Sequence, residues 1–315
     1  NFNCNGIIGP DRQLNPHAKE VAYQYQSIWV KPVDLAQGTI AVHNENFFRD
    51  LSNYRMEWSL LKDGKSVQSG SVDNLNVEPQ QTANVNLPLN IPSDGSEVML
   101  NVDFKTKGAE PLIAEGQTVA YEQIALNEAT PVSYVENFST EKVKIQNKKN
   151  DPTIVIASAK ATVTFDKATG LLCQYSVDGK SLLGEGGTLK PNFWRAVTDN
   201  DMGAGLQKRL AVWHNPKMTL TGISVEKIKE SKGTAATVTA NYDMPDAKAK
   251  LRLTYKVYGD GTIDVEQAMT KATPDAKAPN LLRFGMVMDL PYDMDKSQWY
   301  GRGPIENYSD RKLSE

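Results

Sequence analysis

Hydrophobic and polar residues alternate one by one along most of the chain, which is the pattern of strands that bury one face of a sheet. The clearest case is residues 55–60, where Met, Trp and Leu alternate with Arg, Glu and Ser. Asp63 and Gly64 follow and favour a hairpin turn. In the first half of the chain the pattern predicts seven strands, at residues 23–30, 39–44, 54–62, 66–72, 82–87, 98–105 and 118–124. Seven short strands of this kind predict an immunoglobulin-like β-sandwich.

The second half of the chain carries longer strand patterns. They predict strands at residues 153–157, 161–165, 171–177, 219–226, 235–242, 250–257 and 262–268. Asp178-Gly179 and Asp260-Gly261 mark turns between them. These strands exceed what one small sandwich needs, so we expect a large antiparallel β-sandwich. No obvious closing strand follows, and we expect this second sandwich to be truncated at residue 315.

A change in amino-acid composition separates the two halves of the chain. After residue 126 the chain becomes rich in Lys and Asn, with prolines near both ends of the stretch. We therefore predict an all-β protein with a first sandwich at 21–126, a linker at 127–152 and a second sandwich at 153–315.

Charge and composition limit the classes of molecule that the chain is expected to bind. The chain has 315 residues, with 35 basic against 38 acidic side chains and a net charge of -3. This balance is not that of a nucleic-acid binder, which concentrates Lys and Arg on one face. No apolar run reaches the length that spans a bilayer, so no membrane partner is predicted. Cys4 and Cys173 are too few for a disulfide framework or a thiolate metal site.

The motifs of several enzyme classes are missing from the sequence. His17, His43 and His214 lie on separate segments, without the paired spacing of a metal site. There is no Gly-x-Ser-x-Gly elbow and no phosphate-binding Gly-rich loop. Acyl transfer and nucleotide hydrolysis are therefore not predicted, and the sequence does not choose between a periplasmic and a cytoplasmic location.

An acidic turn at residues 198–203 is a candidate cation site. Asp199 and Asp201 alternate with Asn200 before a glycine, like the first half of a calcium loop, but the distal Glu is missing. Asp199 and Asp201 are the predicted metal ligands. In the alternative interpretation, these side chains cap a turn and pair with Arg195.

An aromatic and polar cluster at residues 299–311 is a candidate sugar site. Sugar faces stack on aromatic rings while their hydroxyls bind polar groups. The predicted substrate-binding residues are Trp299, Tyr300, Glu306 and Tyr308. In the alternative interpretation, the aromatics pack to close a sandwich and the acidic groups pair with arginines of the same cluster.

Three groups of motifs together resemble the long β-galactosidases of glycoside hydrolase family 2, in the portion that follows their catalytic barrel. The first is Asn5-Gly6, Pro10-Asp11-Arg12 and Asn15-Pro16-His17. The second is Val42-x-Asn44, Phe47-Phe48-Arg49-Asp50-Leu51, Tyr54 and Trp58. The third is Phe193-x-Arg195-Ala196, Thr198-Asp199-Asn200-Asp201-x-Gly203, Trp213, Arg283-Phe284-Gly285-Met286 and Trp299-Tyr300-Gly301-x-Gly303-Pro304-x-Glu306-Asn307-Tyr308-x-Asp310-Arg311.

The resemblance implies a fold and a parent enzyme. Residues 1–20 would be the segment leaving the catalytic barrel, and residues 153–315 would belong to a sandwich related to galactose mutarotases. The parent would hydrolyse β-galactosides such as lactose with retention, using two barrel glutamates with magnesium and sodium near the site. The barrel of the same polypeptide would be the partner, and the full-length enzyme would form a homo-oligomer.

None of those catalytic motifs occurs in this chain, so no catalytic residue is predicted and the chain alone is expected to be inactive. Two other functions stay open. One is a carbohydrate-binding module that recognises galactosides. The other, based on fold analogy alone, is a mutarotase-like catalyst, which needs a general acid and a general base at the sugar ring.

Overall fold

A computed structural model of the chain describes residues 6–127, 139–230, 232–299 and 301–303. Its regular structure is dominated by antiparallel strands, which confirms the all-β class. The chain divides into two compact units, Asn1–Val135 with Gln298–Glu315, and Glu136–Ser297. Within the described ranges, no helix has both the length and the apolar character required to cross a bilayer.

The first unit contains a two-sheet sandwich preceded by a helix. Its described elements are α1 His17–Gln24, β1 Ile28–Asp34, a 3₁₀ turn Leu35–Gln37, β2 Thr39–Asn44, β3 Tyr54–Lys62, β4 Lys65–Val72, β5 Thr82–Asn86, β6 Val98–Thr106 and β7 Thr118–Asn127. One sheet has the order β1-β2-β5 and the other has the order β4-β3-β6-β7. The seven strands predicted for this half are therefore present, and the likeness to an immunoglobulin domain stays a prediction.

Alternation explains why these strands form a core. On β6 every second residue is buried, from Val98 through Leu100 and Val102 to Phe104. Leu100, Val102 and Phe104 meet inward-facing residues of the other sheet in one hydrophobic cluster. Burying one face of each sheet against the other removes both apolar faces from water, which is the main stabilising term of a sandwich.

The structure corrects the first predicted strand. Residues 23–30 were predicted as one strand, but Tyr23 lies in α1 and the strand begins at Ile28. The helix contains good helix formers such as Ala, Glu and Lys and starts directly after Pro16. Tyr23 fixes it to the sandwich, because its hydroxyl donates to Glu122 Oε2 at 2.8 Å and its ring lies 5.6 Å from Trp29.

The second unit contains more strands than the sequence pattern predicts. Its described elements are β8 Lys144–Gln146, β9 Thr153–Ala157, β10 Ala161–Asp166, β11 Leu172–Val177, β12 Lys180–Ser181, β13 Leu189–Asn192, α2 Asp199–Gly203, α3 Leu206–Arg209, a 3₁₀ turn Ala211–Trp213, β14 Thr219–Lys229, β15 Thr234–Met244, β16 Ala249–Tyr258, β17 Ile263–Lys271 and β18 Gly285–Met288. All seven predicted strands of this half are found. The additional strands β8, β12, β13 and β18 have only two to four residues.

Two sheets pack face to face in this unit. One has the order β18-β13-β11-β10-β9-β8, with β12 beside β11, and the other has the order β14-β15-β16-β17. Phe165 of the first sheet and Tyr255 of the second lie 4.9 Å apart between ring centroids inside one core. The strand β8 lies in the stretch that the sequence analysis assigned to a linker, and it pairs with β9. The predicted domain bounds otherwise stay predictions.

Gly170, between β10 and β11, tests how tightly this sandwich is packed. Its φ is +74°, and a Cβ atom there would lie 2.5 Å from the hydroxyl oxygen of Tyr242. That hydroxyl donates to the carbonyl of Thr169 at 2.9 Å. We expect Gly170→Ala to lower the free energy of unfolding by about 2 to 4 kcal/mol, through left-handed strain and overpacking.

Urea denaturation measures the effect, and Gly179→Ala is the matched control. Gly179 also has a positive φ, +77°, but the space around its missing Cβ is open. The control carries only the backbone strain, about 1 to 2 kcal/mol. Equal losses in the two variants would show that Tyr242 does not pack closely on Gly170.

Candidate functional site

The acidic turn is built as a helix start. Thr198 precedes α2 in an extended conformation, and its Oγ1 accepts a hydrogen bond from the Asp201 backbone N–H at 3.2 Å. In return, the Thr198 backbone N–H donates to Asp201 Oδ2 at 2.9 Å. This reciprocal pair is a capping box, which satisfies two backbone donors that a helix start leaves unpaired.

Arg195 occupies the other side of the Asp201 carboxylate. Its Nη1 donates to Oδ2 at 2.6 Å and its Nη2 donates to Oδ1 at 3.3 Å. The hydrogen bond from Arg195 is the largest of the effects that lower the pKa of Asp201 to about 2. Asp201 is buried, whereas Asp199 is exposed. Asp201 thus has the capping and ion-pairing role of the alternative interpretation.

This geometry bears on the predicted cation site. Both oxygens of Asp201 already accept hydrogen bonds from the chain, so a cation there would compete with Arg195 for the carboxylate. Across the described residues there is no group of three or more His, Cys, Asp or Glu side chains placed to hold a metal ion. Metal binding by Asp199 and Asp201 stays a prediction.

The ion pair predicts a pH dependence of stability. Because folding lowers the pKa of Asp201, the pair stabilises the folded state fully above the ordinary aspartate pKa of about 3.9. The stabilisation falls as the pH drops through the folded-state value of about 2. We therefore expect the stability difference between the wild type and Asp201→Asn to shrink from pH 4 to pH 2, as measured by urea denaturation at several pH values.

Asp199→Asn is the control for this experiment, because it removes an exposed carboxylate from the same turn. It should differ little from the wild type at every pH. A difference between wild type and Asp201→Asn that stays constant from pH 4 to pH 2 would contradict the ion-pair assignment.

An aromatic core supports the turn. Trp213 is buried, its Nε1 donates to the carbonyl of Asn280 at 2.9 Å, and its ring centroid lies 5.5 Å from that of Phe193. Phe193 also lies 5.9 Å from Phe284, which directly precedes β18. Pairing of β13 with β18 brings the two segments together, so motif residues far apart in sequence meet at one end of this sheet.

The predicted sugar-binding residues are only partly described. Trp299 is 71% exposed, and its residue range groups with the first unit. Tyr300, Glu306 and Tyr308 lie outside the described residues. The structure therefore leaves the predicted site as a prediction, with one exposed indole as its visible part.

The sequence analysis did not identify a groove of about 690 Å³ in the second unit. It is lined by Cys173, Gln174, Ser181, Leu183, Gly184, Glu185, Asp289, Leu290, Pro291 and Tyr292. Tyr292 is fully exposed, and the same lining includes two carboxylates, Glu185 and Asp289. An aromatic face next to acceptors suits a hydroxyl-rich ligand. The groove joins segments about a hundred residues apart, so no local sequence pattern marks it.

A second unpredicted groove, of about 440 Å³, lies beside α1 in the first unit. It is lined by Lys19, Ala22, Asn101, Val102, Asp103, Thr118, Tyr121, Glu122 and Gln123. Burial raises the pKa of the Asp103 carboxyl. The nearest cation on its own strand, Lys105, is bound to Glu57 at 2.5 Å. These groups can hold polar ligands.

Comparison with known proteins decides the family. The family model described as Beta galactosidase small chain matches residues 157–315, about half of the chain. The chain belongs to the β-galactosidase family. A second model, described as Beta-galactosidase, domain 4, matches residues 40–127, so the two matches cover most of the two sandwiches.

Individual β-galactosidases match nearly the whole chain. The protein from Priestia megaterium is 30% identical over 316 residues, which cover 99% of this chain and 29% of the relative. The Clostridium acetobutylicum protein is 28% identical, with 99% of this chain and 33% of the relative covered. The Lactobacillus delbrueckii subsp. bulgaricus protein is 30% identical, with 98% of this chain and 29% of the relative covered. The chain therefore spans about a third of the length of the curated relatives it matches, and the resemblance found from sequence motifs is confirmed.

Proposed function

We propose that this chain is the non-catalytic C-terminal portion of a β-galactosidase that hydrolyses terminal β-D-galactosides of the lactose type with retention. The observation that carries the proposal is the coverage of the relatives. Essentially all of this chain aligns with β-galactosidases, but it accounts for only 29 to 33% of their length. Most of a β-galactosidase of that size lies outside this chain.

The chemistry of the acidic turn gives no support for catalysis there. A retaining glycosidase needs two carboxyl groups about 5 to 5.5 Å apart, one of which is an acid with a raised pKa. Asp201 is the buried carboxylate of this turn, but Arg195 lowers its pKa. A group that stays ionised to about pH 2 cannot donate a proton to a leaving sugar at neutral pH.

The same reasoning assigns the metal ions. Magnesium binds carboxylate oxygens that can still accept a metal bond, together with water. The acidic turn offers few free acceptor positions, because three hydrogen bonds from Arg195 and Thr198 already reach the oxygens of Asp201. We therefore place the magnesium and sodium of the resemblance with the catalytic barrel of the same polypeptide.

Within the parent enzyme, the two sandwiches would serve as a rigid support for the barrel and as surfaces for assembly into a homo-oligomer. Galactosides would be the substrates of the whole enzyme, and we expect neither a nucleic acid nor a membrane as a partner. The dense cores of both units suit such a supporting role.

The reaction catalysed by the full-length protein tests the proposal. We expect it to hydrolyse an aryl β-D-galactoside, and ¹H NMR of the early reaction should show β-galactose forming before it mutarotates to the α-anomer. Early formation of α-galactose would contradict retention. No hydrolysis of β-galactosides, with turnover of another glycoside, would contradict the substrate assignment.

A carbohydrate-binding module is the second candidate, and the exposed indole of Trp299 favours it. In this function Trp299, Tyr300, Glu306 and Tyr308 would bind a galactoside without cleaving it. Calorimetric titration of the chain with galactose and lactose distinguishes the two functions. Heat that disappears in Trp299→Ala would support the module, and no heat at millimolar sugar would support the accessory role.

A further inference from the structure

The loop after β2 exposes two neighbouring aromatic side chains. Phe47 is 73% exposed and Phe48 is 99% exposed, with ring centroids 6.2 Å apart. Tyr25, 83% exposed, lines the same groove of about 680 Å³. We call Tyr25, Phe47 and Phe48 the aromatic patch. Contiguous exposed apolar surface of this kind marks interaction sites in folded proteins.

Hydrogen bonds hold the loop in place. Asn44 is fully buried, and its Nδ2 donates to the carbonyl of Arg49 at 2.8 Å. Its Oδ1 accepts from the Asn46 backbone N–H at 3.0 Å. On the other side, Gln80 Nε2 donates to the carbonyl of Glu45 at 2.7 Å. The two phenylalanines are thus presented to solvent by a braced loop, which lowers the entropic cost of docking.

The charged groups at the rim are already used within the chain. The Glu45 carboxylate accepts from Trp29 Nε1 at 2.6 Å. Arg49 Nη1 donates to Glu110 Oε2 at 3.0 Å and to the hydroxyl of Tyr54 at 3.1 Å. Arg49 is thus ion-paired and Glu45 is hydrogen-bonded within the chain. The exposed aromatic rings remain available, and they suit an apolar protein surface.

Further exposed apolar residues lie in the stretch that leads into the first sandwich. Ile7, Ile8 and Leu14 are 46%, 57% and 67% exposed. The helix α1 follows, and Tyr25 of the aromatic patch comes directly after its last residue. The relatives that match this chain are about three times as long. A body joined covalently to this stretch has a high effective concentration at the patch, so a small contact suffices.

We propose that the aromatic patch docks onto the part of the full-length polypeptide that lies outside this chain. This inference rests on the proposed function, which requires a further part of the polypeptide. It adds which surface of this chain that part contacts. Phe47 and Phe48 are the anchors, since covered aromatic side chains bury about 150 to 250 Å² each. A second copy of this chain or a soluble sugar is the competing occupant.

The experiment compares one double substitution in two contexts. In the 315-residue chain, Phe47→Ser with Phe48→Ser should leave the melting temperature unchanged, because both side chains are exposed there. In the full-length protein, the same change should lower the melting temperature by several degrees. It should also speed trypsin cleavage between this chain and the rest of the polypeptide several-fold.

Leu112→Ser is the matched control, because Leu112 is a fully exposed apolar residue of the same unit. It should change neither the melting temperature of the 315-residue chain nor the melting temperature and trypsin cleavage of the full-length protein. Equal behaviour of wild type and double variant in the full-length protein would overturn the proposal. So would a dimer of the 315-residue chain that the double variant dissociates, or a galactose titration that depends on Phe47 and Phe48. Melting and proteolysis do not require galactosidase activity, so failure here is distinguishable from failure of the proposed function.

Discussion

Trp213→Ala should destabilise the second unit by about 3 to 5 kcal/mol, the loss typical of truncating a fully buried Trp. Trp213 is 1% exposed and packs against Phe193. The substitution leaves a cavity in the core and removes the N–H donor of the carbonyl of Asn280. Urea denaturation of the 315-residue chain, followed by circular dichroism, measures the loss.

Two further tryptophan variants separate the contributions. Trp213→Phe keeps most of the ring but loses the hydrogen bond, so we expect a smaller loss of about 1 to 3 kcal/mol. Trp299→Ala removes an exposed indole and should change stability by no more than about 0.5 kcal/mol. If Trp299→Ala destabilises the chain as much as Trp213→Ala, then Trp299 is a packing residue. The predicted sugar site would then lose the one of its residues that the structure describes.

Asn44→Leu should lower the free energy of unfolding by about 3 kcal/mol, because each buried polar partner left unpaired costs about 1 to 3 kcal/mol. Asn44 is fully buried at the end of β2, and its Nδ2 donates to the carbonyls of Arg49 and Val77. Leucine fills a similar volume but supplies no donor. Denaturation in urea quantifies the change.

Asn86→Ala is the control for Asn44→Leu. Asn86 lies on β5, and its Oδ1 accepts from the hydroxyl of Thr39 at 2.7 Å in an exposed position. Its loss should stay within about 0.5 kcal/mol of the wild type. A comparable loss for both asparagines would indicate that the buried hydrogen bonds of Asn44 do not stabilise the loop.

Alternation predicted the long strands well because each of them buries one face. Residues 39–44 and 54–62 were predicted with the bounds that the structure has. The helix α1 was missed, because the alternation that continues through Ile28 and Val30 obscured helix formers after Pro16. Short strands such as β13 and β18 have too few residues for a period to appear, and they pair across more than ninety residues of sequence.

For the candidate site, the sequence predicted which residues are involved but not which groups they contact. The pairing of Asp201 with Arg195 was one of two interpretations, because spacing alone does not decide whether a carboxylate faces an arginine or a cation. Phe47 and Phe48 were noted only as part of a family motif. A sequence cannot tell an exposed aromatic residue from a buried one where no alternation surrounds it.

The measurement that tests the central claim most directly is turnover by this chain alone. The purified 315-residue chain and the full-length protein should be assayed at equal molar concentration on an aryl β-D-galactoside. We expect the full-length protein to release the aryl group. The chain alone should release it no faster than buffer without protein does. Turnover by the chain at a rate comparable to that of the full-length protein would contradict the conclusion that it is a supporting part of a larger β-galactosidase.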